Sequence, residues 1–110
     1  MADVSKETEQ KISQLQLIEQ NLQNFLVQKQ QFQIQLMEID SALSELEKVE
    51  RAYKIVGNIM IDSKKEDLKK DLDRRKDMFN MKLKNLEKQE ERIKEKAKKL
   101  QEEVLSEFKK

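Results

Sequence analysis

From Leu15 onward, apolar residues recur in alternating steps of three and four. With Leu15 as heptad position a, the a positions are Leu15, Leu22, Lys29, Leu36 and Leu43, and the d positions are Ile18, Phe25, Phe32, Ile39 and Leu46. Nine of these ten are apolar over five heptads, which predicts a coiled-coil helix over about residues 4–50. At about 1.5 Å per residue it would run roughly 70 Å. A second series, Leu68, Leu72, Phe79, Leu83, Leu86, Ile93, Ala97, Leu100 and Val104, keeps the same steps and predicts a helix over about 63–108.

Between them the period changes. Arg51–Asp62 holds the only glycine and the only tyrosine, and crowds together Ile55, Val56, Ile59 and Ile61. A two-residue turn at Gly57-Asn58 pairs Val56 with Ile59, Ile55 with Met60 and Lys54 with Ile61. Glycine in the first central position suits a type II′ turn. The β-hairpin is expected over about 52–62, followed by a capping box, Ser63-Lys64-Lys65-Glu66, that restarts the helix. Both hairpin faces are largely apolar, and a lone two-stranded hairpin is marginal in water, so pairing with other copies into a shared sheet or barrel is expected.

The two helical seams agree on one register. Reversal at the turn brings together residues whose numbers add to about 115. Leu15 then meets Leu100, Leu22 meets Ile93, Leu36 meets Phe79, Leu43 meets Leu72, Ile18 meets Ala97 and Phe32 meets Leu83. The expected fold is mainly α: a long antiparallel two-helix coiled-coil hairpin, with a short β-hairpin at the bend, forming one domain over residues 1–110. Lys29 interrupts the seam and is expected to pair with Glu90, fixing register at some loss of stability. Lys69 and Lys76 fall opposite Leu46 and Ile39, where their stems can cover apolar surface.

Composition changes the picture mainly by exclusion. Of 110 residues, 41% are charged, 36% hydrophobic and 5% aromatic, too little apolar content for a self-sufficient compact core. Partner chains are therefore expected. No proline interrupts the helices. Cysteine and histidine are absent, which removes disulfides, thiolate sites and the usual general base. A single glycine leaves no phosphate-cradling loop, and no cofactor is expected. The carboxylates belong to solvated faces mixed with lysine, so an enzyme is not indicated. No apolar run is long enough for a membrane span or signal peptide, and a cytoplasmic protein is the default.

Residues 1–50 carry four Lys/Arg against nine Asp/Glu, while the chain as a whole is +1; opposite signs suit helices lying side by side. Arg92, Lys94, Lys96, Lys98 and Lys99 cluster, but Glu87, Glu90, Glu91 and Glu95 are interleaved and no stacking tyrosine or tryptophan follows, so nucleic acid is not the expected partner. Glutamine is dense on the flanks of the first helix and reads as a soluble, helix-compatible surface. Val27 and Ile34 form an off-seam pair open to a neighbouring subunit or a client. At the helix ends remote from the bend in sequence, Val4, Ile12, Leu15, Leu17, Leu100, Val104, Leu105 and Phe108 offer an apolar binding surface.

These features resemble the β-class subunit of prefoldin, particularly its archaeal form. The resemblance covers nearly the whole chain. Its most specific part is Tyr53-Lys54-Ile55-Val56-Gly57, the aliphatic strand after it and the Ser63-Lys64-Lys65-Glu66 restart. Val27-Gln28-Lys29-Gln30 and Gln89-Glu90-Glu91-Arg92-Ile93 add support. The short Glu50-Arg51-Ala52 departs from members with extra acidic residues before the tyrosine. The resemblance implies a hexamer of two α-class and four β-class subunits, with this chain beside other copies of itself. It also implies an ATP-independent holdase that captures non-native proteins and passes them to a group II chaperonin. Tyr53, Ile55, Val56, Gly57, Ile59, Met60 and Ile61 would then form the oligomerisation element, and the helix-end residues the client-binding surface. The rival reading is a coiled-coil adaptor that holds no client.

Overall fold

The computed structural model describes residues 5–109. In chain order the elements are α1 (Lys6–Lys48), β1 (Ala52–Val56), β2 (Ile59–Ser63) and α2 (Lys65–Phe108). Val4, placed at the start of the first helix by the sequence pattern, lies outside the described residues.

Three of the four helix ends have a local cause. Ser5 caps α1: its Oγ accepts the Thr8 N–H at 3.1 Å, and Glu9 N–H opens the helical ladder by donating to the Ser5 carbonyl. Glu7 and Glu9 in the first turn complement the positive end of the helix dipole. At the other end, the Lys65 ammonium donates to the Glu47 carbonyl at 3.1 Å, satisfying one of the acceptors a helix leaves open. The restart of α2 differs from expectation. Ser63 ends β2, opposite Ala52, and the first helical bond runs from Leu68 N–H to the Lys64 carbonyl. The cap position therefore belongs to Lys64, because pairing with Ala52 holds Ser63 in the strand. Glu66 and Asp67 supply the first turn with negative charge.

The hairpin has the register read from the sequence: Val56 opposite Ile59, Ile55 opposite Met60, Lys54 opposite Ile61. Gly57 has φ of 61°, and no non-glycine residue among those described has positive φ. That combination fits a type II′ turn and excludes type I′, which needs positive φ at both central positions. A side chain at Gly57 would meet nothing within 4 Å, so the requirement for glycine there is conformational and not steric crowding.

The chain forms two compact units. One joins the residues up to Lys29 with those from Asn85 onward; the other is Gln30–Lys84. In the first, Thr8, Leu86, Leu100 and Val104 are buried, and Leu15, Ile18, Leu22, Phe25, Ile93 and Ala97 are half-buried. Lys11 reaches Glu103 and Lys29 reaches Glu90, each at 3.2 Å, which sets α1 and α2 antiparallel here. In the second unit Ile39, Leu46 and Ala52 are buried, Phe32 and Phe79 pack with ring centroids 6.0 Å apart, and Lys76 meets Asp40 at 2.8 Å. Asp40, by hydrogen bond and charge, raises the Lys76 pKa. Lys69, by contrast, is exposed, and Leu68 and Leu72 hold the seam on either side of it. Every a and d position from Leu15 to Leu46 is buried or half-buried, while the flanking glutamines are exposed. At about 25 cal/mol per Å², each half-buried aliphatic chain contributes on the order of 1 kcal/mol.

Lys29 and Glu90 form the ion pair expected in the seam, and it is well shielded: their side chains keep 22% and 12% of their exposure. Burial works against the charged form of Glu90. Hydrogen bonds and charge from Lys29 and Lys94 outweigh it and hold the carboxyl below its usual pKa. A carboxylate with a depressed folded pKa stabilises above the unfolded value of about 4.3, and that stabilisation is lost as pH falls through the folded value. Glu90→Gln, which leaves Lys29 without its counter-charge, is expected to cost about 1–3 kcal/mol in urea unfolding at neutral pH. It should also flatten the stability loss below about pH 4. The double variant K29L/E90L should recover wild-type stability or exceed it. A wild-type midpoint for Glu90→Gln would show the pair to be inert.

Candidate functional site

Side chains alternate across a strand, and directly opposed residues share a face. One face of the hairpin therefore carries Val56, Ile59 and Ile61, with Lys54 and Ala52; the other carries Tyr53, Ile55 and Met60, with Asp62. Only Ala52 of this set is buried. Tyr53, Ile55, Val56, Ile59, Met60 and Ile61 keep between 47% and 70% of their exposure. The sheet has two strands, so among the described residues each strand also has one edge without a partner. A groove of about 510 Å³ adjoins the hairpin, lined by Leu46, Val49, Ala52, Tyr53, Ile55, Leu68 and Leu72. At its rim Asp71 is held by Arg74 at 2.6 Å and Arg75 at 3.2 Å. This element offers apolar surface and free backbone hydrogen-bonding groups, the two requirements for pairing with further strands.

The unit containing the helix ends sorts its candidate residues differently. Leu100 and Val104 lie in the core, Ile12 and Leu15 are half-buried in the seam, and Val4 is outside the described residues. Leu17, Leu105 and Phe108 remain 60%, 57% and 52% exposed. The accessible apolar surface of this end is thus the off-seam part of the expected set. Leu26, Met37, Met78 and Met81 are also at least 43% exposed, and heptad phase alone was the signal for them, since none of the four belongs to either seam series. Among the described residues no helix is long and apolar enough to cross a membrane.

Residues 9–110 match the prefoldin subunit family. The chain belongs to that family. It is 36% identical to prefoldin subunit beta of Archaeoglobus fulgidus, over 86% of this chain and 84% of that one. Prefoldin subunit beta of Pyrobaculum islandicum is 32% identical over 98% and 89%. The crystal structure of the prefoldin beta subunit from Thermococcus strain KS-1 superposes with a TM-score of 0.89 at 29% identity, covering 96% of each chain. Membership supports a chaperone-type role and implies assembly with other prefoldin subunits. The sequence resemblance and the fold class are borne out together.

The exposed hairpin supplies a test of what drives that assembly. Ile55 and Met60 oppose each other on one face, and lysine at both positions would place two charges where a partner strand needs apolar surface. The double variant I55K/M60K is expected to keep its helical circular dichroism while losing complex mass when mixed with partner prefoldin subunits, by size exclusion with light scattering. Unchanged mass would remove the hairpin from the assembly interface.

Proposed function

We propose that this chain is a subunit of a cytoplasmic, ATP-independent holdase. Its hairpins join with those of an α-class prefoldin subunit and of further copies of itself, two α with four β, into closed β-barrels. Exposed apolar residues at the helix ends hold non-native proteins until a group II chaperonin takes them. The observation that carries the reading is exposed apolar surface that is densest on the hairpin and recurs at Leu105 and Phe108 near the end of α2, in a chain with 41% charged residues.

Tyr53, Ile55, Val56, Ile59, Met60 and Ile61, with Gly57 setting the turn, form the oligomerisation element in this reading. At the helix ends Leu17, Leu105 and Phe108 make the first contacts, and fraying of the last turns gives access to Ile12, Leu15, Leu100 and Val104. Each contact is small. Several subunits gripping one client raise the effective concentration, so weak sites add to useful avidity. Release then needs only competition for the apolar surface, and no nucleotide takes part.

Leu105→Ser with Phe108→Ser removes exposed apolar area without touching the buried Val104. Assembly mass with the α-class partner should be unchanged, while suppression of client aggregation, followed by light scattering, should fall several-fold. Full protection by this variant would show that the helix ends do not hold clients. A complex that assembles yet never suppresses aggregation would identify an adaptor.

A further inference from the structure

The unit containing the helix ends has two unlike sides. Between Ser13 and Gln28 of α1 the exposed positions carry a single charge, that of Glu19; the rest are serine, glutamine, asparagine and the aliphatics Leu17, Leu26 and Val27. Between Glu87 and Lys99 of α2, in the same unit, every exposed position except Gln89 is charged. Leu17, Leu26 and Val27 keep 60%, 50% and 52% of their exposure. In a chain with 41% charged residues, a helix face this long and this free of charge requires an explanation beyond solubility.

We propose that the uncharged face of α1 in this unit is a client-binding wall that contacts the backbone and aliphatic side chains of non-native polypeptide without regard to client charge. The inference rests on the holdase reading and extends its site beyond the helix ends. Depletion of charge is the compositional mark of protein-contacting surface. Amide side chains both donate and accept, so they match the unpaired N–H and C=O groups of an unfolded chain in either direction. A wall of fixed charge would attract some clients, repel others and require its own charges to be desolvated on contact.

Other occupants fit less well. A nucleic acid or an anionic membrane needs cations, and the exposed positions of this face have none. A second helix of fixed partner needs apolar residues every three or four positions, whereas between Ser13 and Gln28 the exposed Leu17 is followed only by Leu26 and Val27. Isolated aliphatics set among amides suit transient contact with many sequences.

The absence of native cysteine allows single-site labelling. A benzophenone photocrosslinker on Gln23→Cys of α1, or on Arg92→Cys of α2, is introduced into the complex assembled with partner subunits. A permanently unfolded chain, reduced and carboxymethylated lactalbumin, is then offered. Several-fold more client adduct is expected from position 23 than from position 92. In parallel, Q16K/Q20K/Q23K and Q16E/Q20E/Q23E alter exposed sites with helix-compatible residues, so folding should be preserved, as checked by circular dichroism. The lysine variant should lose several-fold protection of a cationic client but not an anionic one, and the glutamate variant the reverse. Equal adducts from both positions, adducts from position 23 only to a neighbouring subunit, or charge variants that protect both clients like wild type would overturn the wall. A wild-type complex that protects neither client would overturn the holdase reading with it.

Discussion

Two helices packed along one stripe can bury very little, and this constraint governs the molecule. Only Ile39, Leu46, Ala52, Leu86, Leu100 and Val104 are buried apolar residues among those described; the rest of the seam is half-buried. Stability must then come from many contributions of about 1 kcal/mol each, aligned by one register. Within either unit, a slip of the register would misplace all of its contacts at once. The turn at Gly57-Asn58 and the Lys29–Glu90 pair act against such slips, each in its own unit.

The polar interruption shows how this works. Lys29 occupies a position where leucine would pack better, and Glu90 meets it at 3.2 Å with Lys94 at 3.4 Å on the same oxygen. The pair is satisfied only when α1 and α2 of this unit are correctly aligned. Its value lies in the penalty that any other alignment incurs by leaving a shielded charge alone. Phe32 against Phe79 does the corresponding work by shape in the other unit, where two large rings need each other to fill the seam.

A fold with so little interior leaves much of its apolar content outside. Prefoldin subunits are built to be completed by one another, and the hairpin here, apolar on both faces, fits that requirement. The helix faces follow a different rule. α2 is surfaced with alternating charge that keeps it in water, whereas the α1 surface between Ser13 and Gln28 is nearly neutral. The division between the two helices of this unit arises from surface chemistry, since both contribute aliphatic residues to its seam.

The helical seams, the hairpin register down to its paired residues, and the Lys29–Glu90 contact were all determined by the sequence, because heptad phase, strand alternation and a lone glycine are local signals that leave one solution. The start of α2 was not: a capping box at Ser63 competes with strand pairing to Ala52, and only the folded hairpin decides between them. At the helix ends the heptad phase put Leu100 and Val104 in the seam and left Leu17 and Leu105 outside it, while packing settled how far each is covered. Val104 and Leu105 are neighbours of similar chemistry, yet one is buried and the other 57% exposed, since burial depends on which way a turn of helix points once its partner is in place. The same holds for the neutral face of α1, whose glutamines acquire meaning only when the charged side of α2 is seen in the same unit.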